Sequence, residues 1–243
     1  MLWILVIAVG LKVLSHTAPF PFLIEAFAPR QALWRMPAGN VPTIYLTFDD
    51  GPNPAATPAL LDELRRHGAR ATFFLIDDHV SDETAPIVRR MFAEGHAVAI
   101  HSNTRALMLR TPEAFSDFLR GASERIEQLA GGTPCRLFRP HAGWRSGPMY
   151  AAASRDGYQI VGWGWGLWDW NWYRARDGRE IAARVARRAS AGDIVVLHDG
   201  HHRNPAANRQ YAVEAVSRLV PALQERGFRF GTLCASGAGA VDD

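Results

Sequence analysis

Thr43-Ile44-Tyr45-Leu46-Thr47-Phe48-Asp49-Asp50-Gly51-Pro52 joins an apolar, strand-like run to two adjacent carboxylates and a Gly-Pro stop. Neighbouring carboxylates disfavour each other's ionisation unless a cation or a proton settles the conflict. The usual solution gives one a metal and the other a proton-transfer role. The plain alternative is an Asp-rich turn, since Asp, Gly, Pro and Asn are ordinary turn residues.

Outward from this stretch, short apolar runs alternate with longer helical patterns. The runs are 43–48, 71–75, 97–100, 137–138, 159–163, 193–197 and 228–232. The helical patterns cover 58–67, 85–94, 112–130, 148–156, 179–189 and 211–226. Thr57-Pro58 and Thr111-Pro112 each read as a capping hydroxyl before a Pro at the first helical position. Gly68, Gly95, Gly157 and Gly227 read as helix stops. Strand, helix, Gly, strand is the grammar of parallel β/α units. The predicted fold is α/β, an irregular (β/α) barrel with about seven parallel strands. In such a barrel the chemistry sits just past the carboxyl ends of the strands.

Composition bounds the reading. At 243 residues and 48% hydrophobic, the chain suits one barrel with a large core. Residues 1–30 form an apolar N-terminal segment, 40–235 the folded unit, and 236–243 a Gly/Ala-rich tail. Residues 1–27 are apolar enough to suggest membrane association through an anchor, the plain alternative being an amphipathic helix lying on the barrel. The net charge is only +3 and the arginines are scattered, so no nucleic-acid partner is expected. Cys135 and Cys234 form no C-x-x-C pair, which excludes a cysteine zinc site. They allow a single disulfide without requiring one.

The residues past five strand ends have the right chemistry to act together. Asp49-Asp50 follow the first run, His101-Ser102 the third, and Arg139-Pro140-His141-Ala142-Gly143 the fourth. A Trp-rich segment through Asp169-Trp170 follows the fifth, and His198-Asp199-Gly200-His201-His202 the sixth. Asp50 and His101 suit a borderline divalent metal such as zinc. Asp49 is placed to take a proton, with Arg139 holding it ionised. His198 is placed to donate a proton to a leaving amine, with Asp169 orienting the imidazole. Trp170 and its neighbours make an apolar wall or a sugar platform, or simply pack.

These motifs resemble the polysaccharide deacetylase family, the chitooligosaccharide-deacetylase-like carbohydrate esterases. Thr47 to Pro54 resembles its first motif, His101-Ser102 opens the second, and Phe138-Arg139-Pro140 with Gly143 matches the third. Asp169-Trp170 closes the fourth, and Val196-Leu197-His198-Asp199 matches the fifth. The resemblance implies a metal-dependent hydrolase, using zinc, cobalt or nickel, that removes N-acetyl groups from chitin-like oligomers or peptidoglycan. It implies a cell-envelope or membrane-anchored location and a glycan as partner. It implies Asp49 as base, His198 as acid, Arg139 and Asp169 as their partners, and Asp50 and His101 as metal ligands. It further implies that Trp170 and Val196 line the acetyl pocket, with the backbone N–H near Ala142 helping to hold an oxyanion.

The chain departs from the family at one place. The family has a second metal-binding His four residues after the first, and here that residue is Arg105. A guanidinium stays protonated and does not coordinate a cation. Three outcomes follow: a metal site completed by water or by His141, His201 or His202; metal-independent hydrolysis of a different amide; or an inactive glycan-binding barrel. Retention of Asp49, Arg139, Asp169 and His198 together argues against the last.

Overall fold

The computed structural model describes residues 32–164, 169 and 176–234, with Trp3, Val6 and Ile7. The N-terminal segment, Trp170 and the 236–243 tail lie outside the described residues, apart from those three. Among the described residues there are eight strands: β1 Ala32–Leu33, β2 Thr43–Gly51, β3 Thr72–Ile76, β4 Ala97–His101, β5 Leu137–Arg139, β6 Gln159–Val161, β7 Ile194–His198 and β8 Arg229–Phe230. Between residues 32 and 234, the described α-helices that alternate with them are α1 Thr57–Arg66, α2 Ala85–Ala93, α3 Pro112–Ala130, α4 Gly147–Arg155, α5 Gly178–Arg188 and α6 Gln210–Glu225.

Seven strands run parallel in the order β1-β6-β5-β4-β3-β2-β7 and curve into a half-barrel. The seventh member differs from the sequence expectation. It is Ala32–Leu33, paired with β6, whereas the expected 228–232 strand shortens to β8 and pairs only with the start of β2. Among the described residues no ladder closes the sheet. An isolated antiparallel bridge, Arg35 to Asp193, joins the chain after β1 to the residue before β7. Gly192 makes that approach workable: its φ is +88°, and a Cβ there would overlap the Met36 carbonyl.

Alternation along each strand sorts side chains into two layers. Ile44, Leu46 and Phe48 of β2, with Phe73, Leu75, Val98, Val195 and Leu197, pack outward against α1, α2, α5 and α6. Ile100, Phe138 and Ile160 pack outward with residues of α3 and α4. The opposite parity fills the half-barrel with Phe74, Ala99, Val161, Trp163, Ile194 and Val196. Each buried Leu or Phe contributes about 1.5–3 kcal/mol, so each strand's parity is firmly set. The same inward parity ends on Asp49, His101, Arg139 and His198.

The predicted helix stops hold: Gly68, Gly95, Gly157 and Gly227 all have positive φ. Thr111 caps α3, its hydroxyl accepting from the Ala114 N–H at 3.3 Å. Thr57 does not cap α1. Its hydroxyl accepts from the Asn53 N–H at 2.9 Å and donates to Asp199 Oδ2 at 2.5 Å, tying α1 to the loop after β7. Cys135 and Cys234 are disulfide-bonded, joining the approach to β5 to the end of the described chain. Among the described residues no helix is long and apolar enough to cross a membrane.

Candidate active site

Parallel register sets the first neighbours. Asp49 lies opposite His198, and His101 opposite Arg139. Asp49 would normally exclude Asp50 from its own side of the sheet, because successive side chains alternate. A bulge resolves this. Asp49 pairs with Phe74 and Gly51 with Leu75, so Asp50 is the extra residue, with φ +71°. Asp199-Gly200 packs beneath it. The Gly200 N–H donates to the Asp49 carbonyl at 3.2 Å, and a Cβ at Gly200 would overlap the Asp50 carbonyl. His79 Nδ1 also meets the Asp50 carbonyl, at 3.1 Å.

Two charge pairs flank this bulge. The Arg139 side chain is fully buried, and its Nη1 donates to Asp49 Oδ1 at 2.6 Å across the half-barrel. Nη1 also donates to Thr47 Oγ1 at 2.8 Å and Nη2 to the Gly162 carbonyl at 2.9 Å. The guanidinium lies 4.0 Å over the Phe74 ring. On the other side, Asp169 Oδ1 is 2.8 Å from His198 Nδ1, and its Oδ2 accepts from the His198 backbone N–H at 2.6 Å. Tyr211, held by Arg209 Nη1 at 2.6 Å, reaches the same Asp169 oxygen at 3.5 Å.

The electrostatics follow from these contacts. Burial pulls the His198 imidazolium down, but the charge and hydrogen bond of Asp169, with Asp50 and Asp49, push its pKa up to about 9. His198 is therefore protonated at neutral pH. Because this pKa lies above the free value of about 6.5, its stabilising contribution is full below that value and lost as pH rises through about 9. An NMR titration of the imidazoles is expected to show His198 changing charge near 9. In Asp169→Asn the transition should move down toward about 6.5; an unmoved transition would mean Asp169 is not its cause. Asp199 is likewise perturbed: burial, with Asp50 and Asp49 nearby, pushes its carboxyl up to about 7 against the Thr57 hydrogen bond.

Asp50 and His101 fit a cation. His101 Nδ1 lies 2.7 Å from the Arg139 carbonyl, so that nitrogen carries the hydrogen. Nε2 then presents a lone pair to Asp50 Oδ1 at 3.3 Å. That carboxylate oxygen is buried and has no hydrogen-bond partner. Two acceptors face each other this way only with a cation or a proton between them. Burial raises the Asp50 carboxyl, but the histidines around it, His101 first, hold it well below the usual range, so it is an anion. Burial, the largest cause, holds His141 down to about 3, so its ring is neutral.

Asp49, Asp50, His101, His141 and His198 line one cavity of about 340 Å³, together with Val196, Ala142, Trp163 and Arg105. Ala142 adopts a left-handed backbone, φ +52°. Arg105 is exposed, its guanidinium 5.5 Å over the Trp144 ring. The structure thus brings together Asp49, Asp50, His101, Arg139, Ala142, Asp169, Val196 and His198, while Trp170 lies outside the described residues. Sequence reasoning did not single out Thr47, His79, Arg209 or Tyr211. Thr47 sits two residues before Asp49 on the inward parity, which was a usable signal. The other three come from loops and a helix start that carry none.

Two carboxylate–cation pairs thus stand past the strand ends of this parallel half-barrel. Residues 36–161 match the polysaccharide deacetylase family. A chitooligosaccharide deacetylase of Bradyrhizobium sp. (strain ANU 289) is 37% identical over 200 residues, covering 79% of this chain and 89% of that one. The solved Bc1960 peptidoglycan N-acetylglucosamine deacetylase superposes with a TM-score of 0.71 at 28% identity, over 84% of this chain and 91% of that one. A family 4 acetyl xylan esterase from Clostridium thermocellum, solved with a cobalt ion, gives a TM-score of 0.68 at 30% identity, over 79% and 88%. The chain belongs to the polysaccharide deacetylase family, and it is a hydrolase of non-peptide C–N amide bonds.

Proposed function

We propose that this hydrolase removes N-acetyl groups from amino-sugar glycans, either chitin-like oligomers or peptidoglycan. The observation that carries the reading is the convergence of the Asp49–Arg139 and His198–Asp169 pairs on one cavity. Deacetylases of both polymers are among its relatives.

Asp49 takes the proton of the attacking water, and Arg139 keeps it anionic and fixed in direction. The backbone N–H at Ala142 donates to the oxygen that gains charge as the acetyl carbon becomes tetrahedral. His198, already protonated through Asp169, gives its proton to the departing amine. Val196 on the inner face of β7, together with Trp170, shapes the acetyl pocket. Asp50 and His101 hold a divalent cation (zinc, cobalt or nickel), which when bound supplies Lewis-acid polarisation and a lowered pKa for water. Residues 40–235 form the catalytic unit. Residues 1–30 hold it at the cell envelope, a setting that also suits the disulfide.

Purified protein is expected to release acetate from N-acetylglucosamine oligomers when zinc, cobalt or nickel is added, and to stop under stringent chelation. Oligomer binding with no acetate under any metal would identify a binding barrel instead. Release that survives chelation would remove the cation from the mechanism and favour a metal-independent amidohydrolase.

A further inference from the structure

We propose that His141 supplies the third protein ligand of the cation site, so that the ligand set has moved from the loop after β4 to the loop after β5. The inference rests on the cation held by Asp50 and His101 in the proposed function. Arg105 stands where the family places its second histidine, and it does not approach these groups as a donor. Its guanidinium is drawn to the face of Trp144, 5.5 Å away. That leaves the cation with two protein ligands unless another loop contributes.

His141 is positioned to contribute. One ligand atom each from Asp50, His101 and His141 lies within 4.8 Å of the others. Among the described residues, this is the one trio of His, Cys, Asp or Glu so gathered. Metal–ligand bonds of about 2.1 Å at tetrahedral angles put ligand atoms around one ion about 3.4 Å apart. The Asp50–His101 edge of 3.3 Å already meets that spacing. His141 lies within 4.8 Å of both, and binding one ion requires its side chain to move toward them by at most the difference.

The backbone explains why His141 sits there. His101 and Arg139 are register partners on adjacent strands, and the Arg139 carbonyl holds His101 Nδ1 at 2.7 Å. Two residues on, the His141 N–H donates to Ser102 Oγ at 2.9 Å, which stitches the two loops together. The left-handed Ala142 then turns the chain away. Asp50 from β2, His101 from β4 and His141 from beyond β5 make one oxygen and two imidazole donors, a set suited to a borderline divalent cation with open positions for water.

A cobalt(II) titration of the full chain, followed by calorimetry and visible absorption, tests this. Wild type is expected to bind one cobalt. His141→Ala should weaken binding by more than about 100-fold, since losing even an outer-shell partner costs about 10–100-fold. Its d–d band should change, while metal-free thermal unfolding stays at the wild-type temperature. His141→Cys should add a near-ultraviolet thiolate-to-cobalt band, which only direct ligation produces. The proposal is overturned by unchanged affinity and spectrum in His141→Ala, by loss of cobalt on His202→Ala instead, or by no cobalt binding in wild type. If cobalt binds through His141 but no N-acetylated glycan releases acetate, the deacetylase reading fails and this ligand assignment stands.

Discussion

Asp49→Asn is expected to abolish measurable turnover while the chain stays folded. The amide keeps an oxygen for Arg139 Nη1, so the 2.6 Å contact across the half-barrel survives in form. What it loses is the capacity to accept a proton. General-base catalysis contributes about 100- to 10,000-fold, so kcat should fall by at least that range. The buried guanidinium loses its counter-charge but keeps Thr47 Oγ1, the Gly162 carbonyl and the Phe74 face. These contacts separate a catalytic loss from a folding loss, which an Ala substitution would not do. Acetate release alongside circular dichroism reads both quantities. A variant with near-wild-type kcat would remove Asp49 from the role of base.

Arg139→Met should do the reverse and strike stability first. Met roughly fills the volume but strands the Asp49 carboxylate, 3% exposed, without its buried guanidinium partner. Breaking a buried ion pair by deleting one partner costs about 3–5 kcal/mol. A domain of this size loses about 2–4 °C per kcal/mol, so the melting temperature should drop by about 6–20 °C. The double variant Asp49→Asn with Arg139→Met removes both charges and should recover much of that loss, because a buried pair replaced as a unit is often neutral. Urea titrations of the four proteins give the coupling. A loss below about 1 kcal/mol for Arg139→Met, the range of an exposed pair, would show that the pair is not held out of water.

Much of this architecture could be read before folding because its signals are local. Helix stops are written as glycines that must take positive φ, and inward and outward faces are written as a two-residue period from Ile44 to Asp49. The misreadings occur where a local signal has a distant partner. Thr57 before Pro58 looks like a cap, yet its hydroxyl serves Asp199, 142 residues away. Ala32–Leu33 is too short to show periodicity and becomes a strand only because β6 offers an edge. Cys135 and Cys234 carry no spacing rule across 99 residues.

The candidate site divides in the same way. Asp49, His101, Arg139 and His198 were legible because each closes an apolar run. His141, His201 and His202 could not be ranked as substitute ligands, since reach between loops depends on strand order and register. The bulge at Asp50 was hidden as well: Asp49-Asp50 reads as two successive residues, and only the pairing with β3 shows that they share a face.

That bulge places two independent filters on position 50. The left-handed backbone admits Gly, Asn and Asp readily and costs most other residues about 1–2 kcal/mol. The cation proposed for this site asks for a carboxylate. Glu satisfies the chemistry and fails the backbone; Asn and Gly satisfy the backbone and fail the chemistry. Asp alone passes both, so at this position the genetic alphabet narrows to one letter before any substrate is considered.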